Sequence, residues 1–591
     1  MMMLIRRNIL FLLFILSLVG IAAFLNQAWL FDPFGWVDHW AYVGISLYFE
    51  KYKVLFNNHP AIELLPVTLP SAFLYSLFDP LTAKIIKDMA FAVTLLLAIF
   101  YSVKAFFGSV CAFMVATFSV GYEYLLSTFG SDYTDSAVAT YYGIALLFCI
   151  LASKEKGKFE YLYLSISGFF YGLMLYSAIL SIIYLPVIIA MYGLIKLSKT
   201  PMKSIWRDLQ RSGFSFLTGF FVTTICLCAF HSSYSNSIYF SSNIRKLLHF
   251  TGGGYARPPF QEWLPNASWL ILPGSIFLAA VAFIVCGVFS RNAKAHSVQD
   301  IKYINAVLAA VIISGCFNLF VDIVIHQWSL QVLYFNQTIP VYMLGLGALL
   351  HACKTKMSQI QGWFLLAVCI FCFITTLYIT NHYYYTWSNF FGIKLLGALS
   401  CLITVMVVGA MLLFLAQKHF LIHLCAILYL FFINIFSFSP AFGNFISYDA
   451  FALTAFRKPL KSNYSIFNTT IALSKKLDQI DPSRICHIWY NESEFLGPLF
   501  RQVNATNYLN CGDKRINKQF PLLQDFSGPI GSEGHFPQSG NEILIITEIG
   551  DNLSEAEKNL ALFSFKIINS ETTLINLDSG NTVFVFKISI R

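Results

Sequence analysis

Residues 60–78 read PAIELLPVTLPSAFLYSLF, and whether this run crosses a bilayer decides the orientation of every helix after it. Its length approaches the ~20 apolar residues that a span requires. However, Pro60, Pro66 and Pro70 each remove a backbone donor, and Glu63 places a carboxylate among the apolar side chains. A regular span is poorly served by either feature, so the reading is a helix lying in or against the outer leaflet. A full crossing here would invert all later connections.

Working outward, apolar runs of spanning length occupy 8–28, 84–104, 110–128, 136–153, 161–178, 179–197, 212–231, 268–289, 303–325, 332–351, 361–380, 393–416 and 420–438. Alternate connections carry the cations: Lys104; Lys154, Lys156 and Lys158; Lys199, Lys203, Arg207 and Arg211; Arg291, Lys294 and Lys302; Lys354 and Lys356; Lys418. The opposite short connections GSDYTD, HQWSLQ and NHYYYTWSN carry none. That asymmetry places the cationic set in the cytoplasm, and it holds only if 60–78 does not cross. The start, with Arg6 and Arg7 ahead of a long apolar stretch and no small-residue cleavage site, reads as an uncleaved anchor with a cytoplasmic N-terminus.

Composition agrees: 57% of the 591 residues are hydrophobic and only 12% charged, with a mean hydropathy of +0.65, which excludes an ordinary soluble domain. The net charge of +9 is spread over short connections, so it reads as a topology signal and implies no nucleic-acid partner. Cysteines are mostly isolated inside apolar runs, with no paired CxxC spacing outside a membrane span, so zinc is unsupported. In the tail, Cys486 and Cys511 permit a disulfide in an oxidising compartment without showing one.

From residue 440 the chain turns polar, with the turn-rich SGPIGSEGHFPQSG and alternating strand patterns in EILIITEI and TVFVFKISI. Helical patterns occur in TTIALSKKLDQI and SEAEKNLALF, the second opened by a capping box of Ser554 and Glu557. The expected fold is therefore mainly α. It is a polytopic transmembrane bundle of about 13 spans over 1–439, with outer loops at 29–83 and 232–267, followed by an extracytoplasmic α/β domain at 440–591.

Chemistry is sought where charge is costly. The first outer loop, FDPFGWVDHWAYVGISLYFEKYKVLFNNHPAIELLP (31–66), carries Asp38 beside the membrane on an aromatic, helix-patterned segment. The second short outer loop carries Asp132 and Asp135, the latter also well placed to cap the following helix. A third holds Arg245, Lys246 and Arg257 around the Gly252–Gly254 run.

The order of these pieces resembles the GT-C membrane glycosyltransferases that use polyprenyl-phosphate sugars: the protein O-mannosyltransferases and, more closely, the lipid A aminoarabinose transferase type. The likeness covers roughly 1–350 in segment order. It rests on VDHWAYVGISLYFEKYK, an HP-containing segment ending in LFDPLTAKIIKD, SDYTDSAVATYYG, GFFYGLMLYSAILSIIYLPV and NIRKLLHFTGGGYARPPFQEWLP. The family's first-loop Asp and Tyr match Asp38 and Tyr42, its second acid being absent here. Its second-loop acid matches Asp135, with Asp132 the alternative. His59 stands where aminoarabinose-type enzymes have a Lys, and QVLYFNQTIP lacks an Arg common in relatives.

The resemblance implies an inverting single displacement at the outer interface, on a polyprenyl-phosphate-linked donor, with a lipid, glycan or protein acceptor. A carboxylate would take the acceptor's proton and cations would hold the leaving phosphate. Asp38 is the expected base, and Asp135 orients the sugar or the base. Arg245, Lys246 and Arg257, with Lys84, hold the phosphate, Arg through its planar fork of donors. No cofactor or metal is required by this reading. A transporter or lipid flippase, or a noncatalytic membrane scaffold, are the alternatives.

Overall fold

The computed structural model describes residues 63–130, 134–197, 202–235, 238–251, 271–289, 298–323 and 335–354, five strands of the tail, and scattered positions between 13 and 55. The expected sites Asp38, His59, Asp132 and Arg257 lie outside the described residues, as do the expected spans 361–380, 393–416 and 420–438, the tail helices and Cys511.

The described helices are α1 (Leu65–Leu77), α2 (Pro80–Gly121), α3 (Glu123–Gly130), α4 (Thr134–Lys154), α5 (Lys158–Ser177), α6 (Leu185–Leu197), α7 (Met202–Tyr234), α8 (Ser241–Thr251), α9 (Ile271–Phe289), α10 (Val298–Ile323) and α11 (Ile339–Lys354). Among the described residues, five segments are long and apolar enough to cross a membrane: Pro80–Ser109, Thr134–Lys154, Ile179–Leu197, Ile205–Tyr234 and Ile301–Asp322. Helix α1 has 13 residues, about 20 Å at 1.5 Å per residue, short of the ~30 Å hydrocarbon core.

Three expected spans are interrupted, that at 332–351 by a turn at Gln337 and Thr338. Gly108, whose φ of 87° breaks α2, falls in the connection expected between 84–104 and 110–128, while the run expected at 110–128 is itself broken at Tyr122, before α3 begins. Glycine tolerates that dihedral without a Cβ clash. The run expected at 179–197 starts as a 3-10 turn over Ile179–Tyr184 and becomes α-helical only at Leu185, one residue before Pro186. Proline fits a helix's first turn because its missing N–H has no intrahelical partner there.

The chain forms two compact units, one comprising 1–34, 88–228 and 243–457, the other 35–87, 229–242 and 458–591. The tail thus shares a unit with parts of the first and third outer loops.

In the first unit α4 is the most enclosed of the long helices and α7 the least. Small residues explain α4's position: Ala137, Ala139, Ala145 and Ala152 are all buried, and a Cβ added at Gly143 would meet Ala98 at 3.5 Å. Helices α5 and α7 approach closely through Gly168 and Gly172 on one side and Gly219 on the other. A Cβ at Gly168 would strike the Phe216 carbonyl, and one at Gly219 the Ser165 carbonyl. Ser165 Oγ donates to the Ser215 carbonyl at 2.8 Å, and Thr223 Oγ1 to the Phe169 carbonyl at 2.8 Å. Small residues four apart that admit a neighbouring backbone are a recurrent means of helix association in lipid. Gly219→Ala should therefore cost about 1–3 kcal/mol by overpacking, read as a lowered melting temperature of the detergent-solubilised protein. An unchanged melting temperature would refute the close approach.

In the second unit, residues of the first outer loop meet the end of α7. Leu55 N–H donates to the Tyr234 carbonyl at 3.0 Å, and Phe49 packs edge-on against Tyr234 at 5.2 Å. Asp79 caps α2: its Oδ1 accepts from Thr82 N–H at 3.1 Å, with Pro80 at the first helical position. Bonding from the Thr82 side chain, then its backbone, holds the Asp79 carboxyl below its ordinary range. Because the folded value is depressed, this stabilisation is present above the unfolded pKa of about 3.9 and fades as pH falls through the lower folded value. Asp79→Ala should accordingly lower the melting temperature at neutral pH by a small amount that vanishes under acid. A pH-independent difference would show that the cap's charge is irrelevant.

The tail strands are β1 (Ile485–Tyr490), β2 (Leu523–Asp525), β3 (Glu542–Thr547), β4 (Ile567–Asn576) and β5 (Thr582–Ile590). They form one sheet in the order β2-β1-β3-β5-β4. β1 is parallel to both β2 and β3, while β5 is antiparallel to β3 and β4. Parallel neighbours require crossover connections, which makes this an α/β-type topology with an antiparallel edge.

Candidate functional site

Asp135 sits in the first turn of α4 and is fully buried. An isolated carboxylate inside an apolar bundle is expensive, so its partners define its purpose. Its Oδ1 accepts a short hydrogen bond from Gln337 Nε2, while Oδ2 is buried with no hydrogen-bond partner among the described residues. One half of the carboxylate is held and the other half is presented.

Gln337 can reach Asp135 because the chain is broken there. Phe335 and Asn336 are helical, Gln337 and Thr338 form a turn, and α11 starts at Ile339. Thr338 closes the turn, its N–H and Oγ1 both donating to the Phe335 carbonyl at 2.9 and 2.7 Å. The neighbouring Asn336 donates from Nδ2 to Thr128 Oγ1 at 2.6 Å, at the end of α3. Consecutive residues of one turn thus grip both ends of the connection that leads into α4. Asn336, Gln337 and Thr338 are all buried.

A stacked pair of tyrosines neighbours this polar centre. Tyr184, in the 3-10 turn, is near enough to interact electrostatically with Asp135. Its ring stacks on Tyr142 at 5.3 Å, and the Tyr142 hydroxyl is buried without a hydrogen-bond partner among the described residues. Asp135 and Tyr142, seven apart on α4, share one helix face.

Of the other expected residues, Tyr42 lies in a helical stretch, half-buried, its carbonyl accepting from Ser46 Oγ at 2.8 Å. Lys84 is buried in the first turns of α2, and Lys87, one turn on, is buried too. Arg245 is exposed on α8, which also carries Lys246. Tyr42 and Lys84 belong to one compact unit, Asp135 and Arg245 to the other. Asp322, at the end of its span, is 4% exposed and so enclosed by the bundle rather than solvated.

Three residues of consequence escape a sequence reading. Gln337 and Asn336 had a faint signal, three adjacent polar residues in VLYFNQTIPVYML, where polar groups are costly unless employed. Glu63 was read only as an obstacle to a span. It is buried, and both carboxylate oxygens accept from Ser242 N–H at 3.0 Å. A carboxylate at the N-terminus of α8 satisfies an orphan donor and complements the helix dipole. The chain turns into that position through Phe240, at a φ of 64°, a left-handed conformation unusual for a bulky residue. Among the described residues no group of three His, Cys, Asp or Glu side chains could hold a metal ion.

No family model matches the sequence, and no curated protein matches it either. Among solved structures, the chain is similar to ArnT from Cupriavidus metallidurans in the apo state, with 9% identity, 93% of each chain covered and a TM-score of 0.44. It is also similar to the archaeal oligosaccharyltransferase AglB from Archaeoglobus fulgidus in complex with an inhibitory peptide and a dolichol-phosphate, with 13% identity, 62% of this chain and 55% of that one covered and a TM-score of 0.32. At such identities and scores neither likeness assigns a role to any residue.

Proposed function

We propose that the protein is a polytopic membrane glycosyltransferase that moves a sugar from a polyprenyl-phosphate donor to a hydroxyl of a lipid, glycan or protein acceptor. The observation that carries this reading is Asp135, a fully buried carboxylate with one oxygen held by Gln337 and the other unpartnered among the described residues. A carboxylate oxygen presented in this way suits a hydroxyl donor, and sugars are rich in hydroxyls.

In the proposed step the acceptor oxygen attacks the anomeric carbon from the face opposite the phosphate. The bond from that carbon to the phosphate oxygen breaks, its electron pair leaves with the polyprenyl phosphate, and the acceptor's proton passes to Asp38. Configuration inverts. Asp135 orients the sugar hydroxyls, while Lys84, Arg245, Lys246 and Arg257 counter the phosphate charge; Tyr42, His59 and Asp132 complete the surroundings. The lipid tail stays in the bilayer, which supports a site at the outer face of a bacterial inner membrane with the C-terminal domain in the periplasm. The charge asymmetry of the connections supports that orientation.

The test is transfer from radiolabelled polyprenyl-phosphate sugars in membranes containing the parent protein or Asp38→Asn. Loss of at least ~100-fold is expected for removal of a general base. Unchanged transfer in Asp38→Asn excludes it as the base, and absence of transfer by the parent with every donor excludes the reaction.

One observation favours a second reading, a flippase or transporter of the same lipid. Interrupted helices at 179–184 and 337–338 flank the buried Asp135, and broken helices beside a buried carboxylate recur at transport sites. Movement of labelled lipid across proteoliposomes without sugar transfer would select it.

A further inference from the structure

We infer that Gln337 is a positioning residue, which fixes the rotation of the Asp135 carboxylate so that Oδ1 is engaged and Oδ2 faces a hydroxyl of the bound substrate. The inference rests on the glycosyltransferase reading for its consequence in turnover, and on geometry alone for the orientation itself.

A carboxylate on a helix's first turn can rotate about its terminal bond, whose torsional preference is broad. With nothing to bond, both oxygens of Asp135 would be equivalent and unpaired, at full desolvation cost. The hydrogen bond from Gln337 breaks that equivalence. Gln337 is itself constrained. It is 2% exposed, lies in a turn closed by two bonds from Thr338 to Phe335, and follows Asn336, which is tied to Thr128. The turn is therefore anchored independently of Asp135 and can act as a fixed reference for it.

Chemistry adds a second argument. A cation at position 337 would form an ion pair and compete with the substrate for the carboxylate's charge. A neutral amide donates one hydrogen bond to Oδ1 and leaves Oδ2 open to a ligand. Oδ2, which has no hydrogen-bond partner among the described residues, then represents acceptor capacity kept for a ligand, since buried polar atoms are rarely left unsatisfied.

The experiment compares the full-length parent, Gln337→Leu, which keeps the approximate volume without a donor, and Gln337→His, which restores a ring N–H donor. Asp135→Asn serves to identify the Asp135 carboxyl band in infrared difference spectra. Donor probes are radiolabelled polyprenyl-phosphate hexoses and a polyprenyl-phosphate aminopentose. Gln337→Leu is expected to shift the Asp135 band and to lower kcat about 10–100-fold, because small misplacements of a reacting geometry are costly. The donor KM should move by less than about threefold, and Gln337→His should regain part of kcat. A merely structural role would instead lower the melting temperature and leave both the band and kcat per folded molecule unmoved, which overturns the inference. If the parent transfers no sugar, the glycosyltransferase reading fails and the band alone decides: a shift in Gln337→Leu upholds the orientation, and no shift ends it.

Discussion

Asp135→Asn is expected to lower sugar transfer by ~10²-fold, the scale of a misplaced reacting geometry, while leaving insertion, folded yield and melting temperature close to those of the parent. The argument depends on which half of the side chain changes. Asparagine is nearly isosteric, and its carbonyl oxygen can still accept from Gln337 Nε2, as Oδ1 does in the parent. Its amide nitrogen then replaces Oδ2, the oxygen without a hydrogen-bond partner among the described residues. A substrate hydroxyl that donates to Oδ2 would meet a donor instead. Asp135→Leu makes the contrast. It removes both oxygens and leaves the buried Gln337 amide unsatisfied, so a stability loss of about 1–3 kcal/mol should accompany the loss of transfer. Kinetics and thermal unfolding on the same preparations separate the two effects. Transfer by Asp135→Asn within threefold of the parent, with about as much folded protein, would make this carboxylate a structural cap.

Lys196→Met should destabilise the protein by about 3–5 kcal/mol, the range for stranding a buried charge. Lys196, in the last turn of α6, pairs with Glu160 in the first turn of α5, and both side chains are buried. The same carboxylate accepts from the Tyr192 hydroxyl at 2.6 Å, and that hydroxyl bonds Ser212 of α7 at 2.9 Å. Three helices are thus joined through one oxygen. Without the ammonium, Glu160 would retain its tyrosine but lose its countercharge in a place that water scarcely reaches. The double variant Glu160→Leu with Lys196→Met removes both charges and should recover much of the loss, since replacing a whole buried pair by apolar groups is often nearly neutral. Thermal unfolding in one detergent, scored as a double-mutant cycle, measures this. A Lys196→Met protein as stable as the parent would show that solvent reaches the pair after all.

How much of the site a sequence reading could reach depended on the range of the interaction involved. Asp135 was identified from its own position, an acid in a short connection opening an apolar run. The structure adds that it is enclosed, which follows from α4 being the most surrounded of the long helices. Lys84 was named for its charge, while the burial of Lys87 beside it went unread because the run LTAKIIKD looks like an ordinary solvated helix start. Glu63 was judged by what it would cost a span, and its use as a cap for α8 depends on a partner 179 residues away. The breaks at Tyr122 and Gln337 and the 3-10 start of the 179–197 run have a local cause that hydropathy cannot register, because it averages over a window and does not resolve a single turn or a proline.

The strands β3 and β5 follow the alternation read in EILIITEI and TVFVFKISI, but their adjacency, with β1 inserted between β2 and β3, has no local cue.

What the sequence determined by itself was the existence of the elements. Long apolar runs become helices because backbone groups in lipid must bond within their own segment, and Asp79 with Pro80 marks a helix start because both act on their immediate neighbours. Only the tertiary structure decided which groups meet: Gln337 with Asp135 across 202 residues, Asn336 with Thr128 across 208, and Ser212 with Tyr192 and Glu160 at the junction of three helices. The physical reason is that hydropathy and capping are properties of contiguous chain. The partner of a buried polar group is chosen by how helices pack, and that depends on the side chains of every helix at once.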